Sequence, residues 1–507
     1  MKRLKFIICL IALPYILISQ SKHDNTWVLG YGPATIAPNG LIQGGTEINF
    51  NNNPPNLDWV SLPTKFVIAV ISDSSGNLVA YSDGCRVSNG NHEIMVNGDT
   101  ITAGEIYNLF CKGVAYPLYQ APILLPAPEK QSKYYLIQIK FEDISWTAYQ
   151  LLWSLIDVEM ENGRGAVVQK DQIICEDSLL GFYITATRHA NGRDWWVVAP
   201  RQGNVGFNVS LLSPEGISYK GIQQFDSDSL YTLICCGQTA FSPDGSKYFM
   251  HLPTYGVFIL DFNRCTGGFS NPKFIDQAFN QSGSGGVAVA PGGRYLYVPS
   301  GYRVFQYDLM ATDIAASRLT VAEYDGYESP FPTTFFQAML APDGKIYISS
   351  PNGNNILHVI NQPDSTGLAC NLVQHGLTLP ALAGFFIPNF PNFRLAALAG
   401  SPCDTIRPDT TITTFVKPGE IEQAPSVRSW PNPVTAEIRF ERTPFIGNNS
   451  NSTLRIYDGA GKTIVVRKLN PQESNWKMDT TKWPAGLYFW EISTDAGIEN
   501  RGRFQKI

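Results

Sequence analysis

Three segments of this chain repeat one pattern at nearly constant intervals. Thr239-Ala-Phe-Ser-Pro-Asp-Gly-Ser-Lys-Tyr-Phe-Met250, Val287-Ala-Val-Ala-Pro-Gly-Gly-Arg-Tyr-Leu-Tyr-Val298 and Ala338-Met-Leu-Ala-Pro-Asp-Gly-Lys-Ile-Tyr-Ile348 carry prolines at Pro243, Pro291 and Pro342, 48 and 51 residues apart. Proline presets φ, and the glycine that follows accepts φ > 0. An apolar run on one side and an aromatic or β-branched run on the other then make a hairpin. A further strand follows each, at Val257–Phe262, Arg303–Leu309 and Ile356–Ile360. Degenerate copies stand upstream, at Asp73–Tyr81, Ala127–Ile137 and Ala190–Val198. Six units of about 50 residues thus cover roughly 66–370, the period of four-stranded propeller blades. A helical repeat would show a 3.6-residue period, and no such stripe is visible.

The prediction is an all-β chain: a six- or seven-bladed β-propeller over residues 27–400, followed by a small Ig-like β-sandwich. Seven blades is the first choice, because Trp27–Pro63 and Leu372–Leu398 can join strands from both ends into one blade and leave the ring without edges. Composition agrees: Gly (44), Pro (34) and aromatics (12%) are plentiful while charged residues are only 16%, a balance that suits many turns between strands. Net charge is −5 and Lys and Arg are not clustered, which argues against nucleic acid as a partner.

Residues 1–21 have the layout of a secretory signal peptide. A basic start at Lys2, Arg3 and Lys5 precedes an apolar run from Phe6 to Ile18 and small or polar residues at Ser19–Ser21. The run is shorter than the ~20 residues a membrane span needs. No transmembrane segment is expected in the mature chain.

Eight cysteines lie beyond this segment: Cys85, Cys111, Cys175, Cys235, Cys236, Cys265, Cys370 and Cys403. An even count suits a chain passing through an oxidising periplasm. Closeness in sequence and turn-rich loops between them predict Cys85–Cys111 and Cys370–Cys403. Cys235 and Cys236 are expected to face opposite sides of one strand.

The C-terminal region carries four motifs in order: Ser429-Trp-Pro-Asn-Pro-Val434, Leu454-Arg-Ile-Tyr-Asp-Gly-Ala-Gly-Lys462, Trp483-Pro-Ala-Gly-Leu-Tyr-Phe-Trp-Glu-Ile492, and the basic end Arg501–Ile507. This set resembles the type A C-terminal sorting domain of the Bacteroidetes type IX secretion system, over residues 428–507. The resemblance places Trp430, Pro431, Asn432 and Pro433 at its start, Gly486, Leu487 and Tyr488 in its penultimate strand, and Lys506 near its end. Trp430 stands where the family more often has Tyr. The resemblance implies the type IX machinery as a partner and delivery, via the periplasm, to the outer-membrane surface or the medium. It also implies that the domain is removed after passage. Residues 401–427, rich in Thr, Pro and Glu, read as a linker. The repeats resemble WD40-like, YVTN-type bacterial propellers. Tyr81–Gly98, Tyr134–Ile137, Asp261–Gly267 and Pro388–Leu395 are similar to a family of exported Bacteroidetes propeller proteins, a resemblance that carries no catalytic residues.

Chemistry is sparse in the sequence. There is no nucleophile elbow, metalloprotease helix, Walker loop or dinucleotide fingerprint, and the six His are scattered. No catalytic, metal or cofactor residue is assigned. Asp73, Asp83, Asn89 and Asn97 could offer calcium oxygens, yet Asx turns explain them without an ion. Trp146 and Trp153 read as core. Trp195 and Trp196 are the candidate ligand-binding residues, since alternation along a strand sends one ring to each face and leaves at most one in a single core. The reading is a non-catalytic binding propeller for a glycan or surface protein. The alternatives are a polysaccharide hydrolase or lyase with acids converging on the central channel, and a structural component of the cell envelope.

Overall fold

The computed structural model describes residues 21–404 and 427–507 apart from 33–41, 65, 114, 118–119, 143–147, 204–205, 226–235, 254, 277–283, 432, 443–451, 460, 471–472 and 495–496. The expected signal peptide, Trp146, Cys235, Asn432 and most of the linker lie outside these residues. The chain divides into two compact units, residues 1–409 and 410–507.

Among the described residues the first unit contains seven small antiparallel sheets in chain order, which we call blades 1 to 7. Blade 1 has strands Thr26–Gly30, Gly45–Asn49 and Asn56–Val60, and blade 2 has Ala69–Ser72, Leu78–Ser82 and Val87–Asn89. Blade 3 (Pro122–Leu179), blade 4 (Thr185–Gln224), blade 5 (Gln238–Asp276), blade 6 (Ala288–Glu323) and blade 7 (Ala338–Thr378) each have four strands. The Pro-x-Gly turns join the innermost strand of blades 5, 6 and 7 to the next one out, as in Gln238–Phe241 paired with Lys247–Leu252. The fold is a β-propeller.

Both ends of the unit close the ring. Among the described residues blade 1 has three strands, and the segment after blade 7 runs alongside the first of them. Gly384 lies against the Gly30 carbonyl, Phe390 against Trp27 with centroids 5.9 Å apart, and Arg394 against Asp24. The segment therefore runs antiparallel to Thr26–Gly30. On the far side of blade 1, Trp27 and Phe50 each pack 5.7 Å from Tyr347 of blade 7. A closed ring leaves each blade buried on both faces by its neighbours, which is why strands such as Trp195–Pro200 and Tyr295–Ser300 are buried at every position.

Carboxamides bridge the inner strands across the ring's axis. Gln120 (blade 3) donates from Nε2 to the Thr239 carbonyl and accepts the Thr239 N–H, both at 2.7 Å, in blade 5. Gln238 (blade 5) makes the same two bonds with Ala338 of blade 7, at 2.7 and 2.9 Å. Asn389 donates from Nδ2 to the carbonyls of Gln120, Pro122 and Ile184, and its N–H bonds to the Ile68 carbonyl. Inner strands splay at the axis and leave backbone groups without ladder partners. An amide, with a donor and an acceptor together, satisfies both kinds at once.

Two disulfides are formed among the described residues, Cys85–Cys111 and Cys265–Cys403. The expected Cys370–Cys403 bond is absent, and Cys370 is free and buried in blade 7. Closeness in sequence misled because the chain between them crosses the ring. By residue 403 it has reached the outer hairpin of blade 5, where Cys265 waits with a Cα–Cα distance of 5.5 Å. Cys236 is disulfide-bonded and sits at φ 72° in a bend, not on a strand as expected.

The second unit packs two sheets into a sandwich. One has Val427–Trp430, Glu437–Arg442 and Asn475–Asp479 in that order. The other has Thr463–Leu469, Ser452–Tyr457, Gly486–Thr494 and Gly497–Lys506. Phe440 and Trp476 stack 5.5 Å apart from the first sheet, with Trp490 of the second edge-on to Phe440. Tyr488 stacks on Phe504.

Candidate functional site

A cavity of about 460 Å³ opens at the end of the axis that carries the Pro-x-Gly turns. Pro243, Pro291 and Pro342 rim it. Its wall is the inner strands along their length, from Gln238, Val287 and Ala338 to Phe241, Val289 and Leu340, and its other side is Phe390–Arg394 of the closing segment. Alternation along the inner strands supplies the apolar wall. The polar groups come from the chain ends.

Asp24 is the single carboxylate lining the cavity. Arg394 donates from Nη1 to Asp24 Oδ2 and from Nη2 to Asn25 Oδ1, both at 2.6 Å. Asp24 Oδ1 is buried without a hydrogen-bond partner. Burial pushes the Asp24 carboxyl up and the Arg394 guanidinium pulls it back, with burial the larger influence. The arrangement is an apolar bowl with one internally neutralised acid. It can accept an apolar or weakly polar group, and it lacks a second carboxylate for acid–base work on a sugar.

The rings expected to meet a ligand are in the core. Trp195 is 0% and Trp196 is 4% exposed. Trp195 packs on Phe393 and under the Arg188 guanidinium, whose carbon lies 3.9 Å from the ring centroid. Trp196 turns to blade 5, where its Nε1–H donates to the Arg264 carbonyl over 2.8 Å and its ring fills the space beside Gly267. A Cβ at Gly267 would come within 2.7 Å of that ring, and its φ is +73°. The expectation that only one ring could be core assumed one buried face, whereas a blade has two. Trp153, half-buried, packs 5.3 Å from Tyr135.

Of the four oxygen-bearing residues considered for calcium, Asp73, Asp83 and Asn89 serve local turns and Asn97 bonds to blade 3. Asp73 accepts from Ser75 N, Asn77 N and Asn77 Nδ2. Asp83 accepts from the N–H groups of Cys85 and Arg86 and pairs with the Arg86 guanidinium; burial pushes its carboxyl up to about 6. Asn89 Oδ1 accepts from Asn91 and Glu93 N–H, while Asn97 Nδ2 donates to the Val167 carbonyl.

The opposite end of the ring carries aromatic side chains that sequence reading missed. Strand Tyr295–Ser300 runs away from the Pro291 turn, so Tyr302 in the following turn lies at the far end, with Tyr324 beside it and Tyr327 and Phe331 further along the same loop. Tyr302 and Phe331 are 63% and 50% exposed. They lie between blade motifs, where no periodicity marked them.

In the second unit the sequence motifs from the two ends meet. Val434, just after Pro433, bridges in parallel to Lys506, and its N–H bonds to the Gln505 carbonyl. Gly486 pairs with Lys506 across the neighbouring strands. Trp430 ends its strand opposite Arg439, and Pro431 and Pro433 are exposed. Leu487 is exposed and Tyr488 buried. Residues 428–502 match the secretion system C-terminal sorting domain family. The C-terminal unit is a type IX sorting domain. The sorting domain marks the protein for export to the cell surface or extracellular space, and its partner in that step is the secretion machinery. Among the described residues no helix is long and apolar enough to cross a membrane.

No curated protein matches the chain. Among solved structures, a Lactobacillus plantarum protein is similar at 11% identity and TM-score 0.45, covering 72% of this chain and 98% of its own. The Pseudomonas aeruginosa periplasmic gluconolactonase PpgL is similar at 12% identity and TM-score 0.40, covering 72% and 98%. Sqt1 of Saccharomyces cerevisiae is similar at 9% identity and TM-score 0.38, covering 67% and 84%. The propeller assignment rests on the strand pairing itself.

Proposed function

We propose that the exported propeller is a non-catalytic recognition module that binds a glycan or a protein at the cell surface or in the medium. The carrying observation is the set of carboxamide bonds that bridge the axis. Gln120, Gln238 and Asn389 bond across the centre of the ring, so a ligand meets end surfaces and loops rather than a channel of converging acids. The cavity at the turn end supports the same reading, since its one carboxylate is engaged by Arg394. Hydrolysis or lysis of a polysaccharide needs two carboxyl groups ~5–10 Å apart.

The test is retention of the purified chain on an array of immobilised polysaccharides and surface proteins, with soluble products assayed in the same wells. Saturable retention without product supports the reading. Product release proportional to protein overturns it.

A further inference from the structure

We infer that the far end of the ring, between blades 6 and 7, is a stacking platform for a neutral glycan, with Tyr302, Tyr327 and Phe331 as its rings. The inference rests on the recognition reading above and gives it a site and a ligand class. Leaving aromatic rings in water forfeits the gain of burying them, and here three are displayed within one loop system. Tyr302, Phe331 and Tyr327 are 63%, 50% and 44% exposed.

The loops that carry them are held in place. Backbone bonds in both directions between Gly301 and Phe335 tie the Tyr302 turn to the base of the 324–337 loop. Within the loop, Tyr324 Oη donates to the Tyr327 carbonyl over 2.8 Å, and Thr333 Oγ1 donates to the same oxygen over 2.9 Å. Ser329 Oγ donates to Asn355 Oδ1 over 2.6 Å, and Asn352 Nδ2 donates to the Pro332 carbonyl. Tyr327 packs tilted against His375 with centroids 4.3 Å apart, and His375 Nε2 pairs with Asp325 Oδ2 at 2.7 Å. A loop fixed in this way loses little freedom when a ligand stacks on its rings.

The chemistry between the rings selects the ligand. A protein partner is met by a contiguous apolar patch with few charges at its core. Here the rings alternate with exposed hydrogen-bonding groups, including the Arg303–Glu323 pair at 2.9 Å. Apolar ring faces set among hydroxyl-binding groups match a pyranose, which offers C–H faces and a hydroxyl edge. Glu323, Asp325 and Glu328 against Arg303 leave the platform acidic. Uronic or sulfated chains are therefore repelled and neutral ones are not.

The experiment is affinity electrophoresis of the full chain in gels containing neutral polysaccharides (mixed-linkage β-glucan, xylan, mannan) or pectin, with reducing-sugar release measured alongside. Both substituted rings are exposed, and melting curves of Tyr302→Ala and Phe331→Ala serve as the control for folding. The expected result is retardation in at least one neutral gel and none in pectin. Each variant should weaken it about tenfold or more, and Tyr302→Phe should retain it. Retardation unchanged in both alanine variants, or retardation only in pectin, overturns the platform. Retention on a protein surface but on no neutral glycan also overturns it while leaving the recognition reading standing. Sugar release overturns that reading itself.

Discussion

Arg394 donates to Asp24 over 2.6 Å although 370 positions separate them in the chain. The pair joins the last segment of the propeller unit to its first strand, at the rim of the axial cavity. Replacing Arg394 by Ala leaves a buried carboxylate without its cation, which costs several kcal/mol at such sites. Arg394→Ala should lower unfolding free energy by roughly 3 kcal/mol, and Asp24→Asn by less, because the amide still accepts a hydrogen bond. Urea titration of both variants and the double mutant checks this. A double mutant no worse than Arg394→Ala alone is the expected coupling.

Asn389 sits at the axis among the carbonyls of Gln120, Pro122 and Ile184. Asn389→Leu removes the donor and leaves buried carbonyls unpaired, at about 1–3 kcal/mol for each group left unsatisfied. Asn389→Asp should be worse still, since an anion there faces three oxygens. Chemical denaturation of the two variants gives the order.

The Cys265–Cys403 disulfide fastens the end of the closing segment to blade 5 across a sequence separation of 138 residues. Its loss should cost about 3–5 kcal/mol on the loop-entropy account. Cys403→Ser should therefore melt well below the parent in oxidising buffer. Proteolysis under non-reducing conditions should recover one peptide pair containing Cys265 and Cys403, with Cys370 alkylated only after unfolding.

His358 is buried in blade 7, and burial pushes its imidazole down to about 4. In the unfolded chain an imidazole titrates near ~6.5. Between these values the unfolded state binds a proton that the fold refuses, so stability is full above about pH 6.5 and falls as pH drops toward 4, by up to roughly 3 kcal/mol. His358→Gln should flatten that dependence. Urea midpoints at pH 7 and pH 4.5 for parent and variant give the comparison.

In the sorting domain, neighbouring residues of one strand should behave differently. Tyr488 is buried, stacks on Phe504 at 5.5 Å and donates to the Pro484 carbonyl over 2.8 Å. Tyr488→Ala should cost about 3–5 kcal/mol. Leu487, 41% exposed, should change stability by about 0.5 kcal/mol or less on truncation. Melting of both variants tests the difference.

The hairpin repeats were legible because Pro-x-Gly turns and alternating strands are local signals, and they led to the blades. The sorting motifs were legible as an ordered set for the same reason. What could not be read was contact across the ring. Nothing near Cys403 in sequence marks Cys265 as its partner, because the 379–398 segment has no strand periodicity and its course is set by amides such as Gln120 and Asn389. Trp195 and Trp196 were misplaced by treating one strand as having one buried face. Tyr302 and Phe331 stand in loops, where exposure depends on the ends of neighbouring blades and not on any period.

The closing segment is docked as a permanent part of the ring. Hydrogen exchange at the Asn389 amide, which bonds to the Ile68 carbonyl at 3.1 Å, tests that most directly. The account predicts exchange only through global unfolding, at the rate of the slowest amides in blades 3 to 5. Exchange on the timescale of surface loops, with those blades still protected, would show an open axis and contradict it.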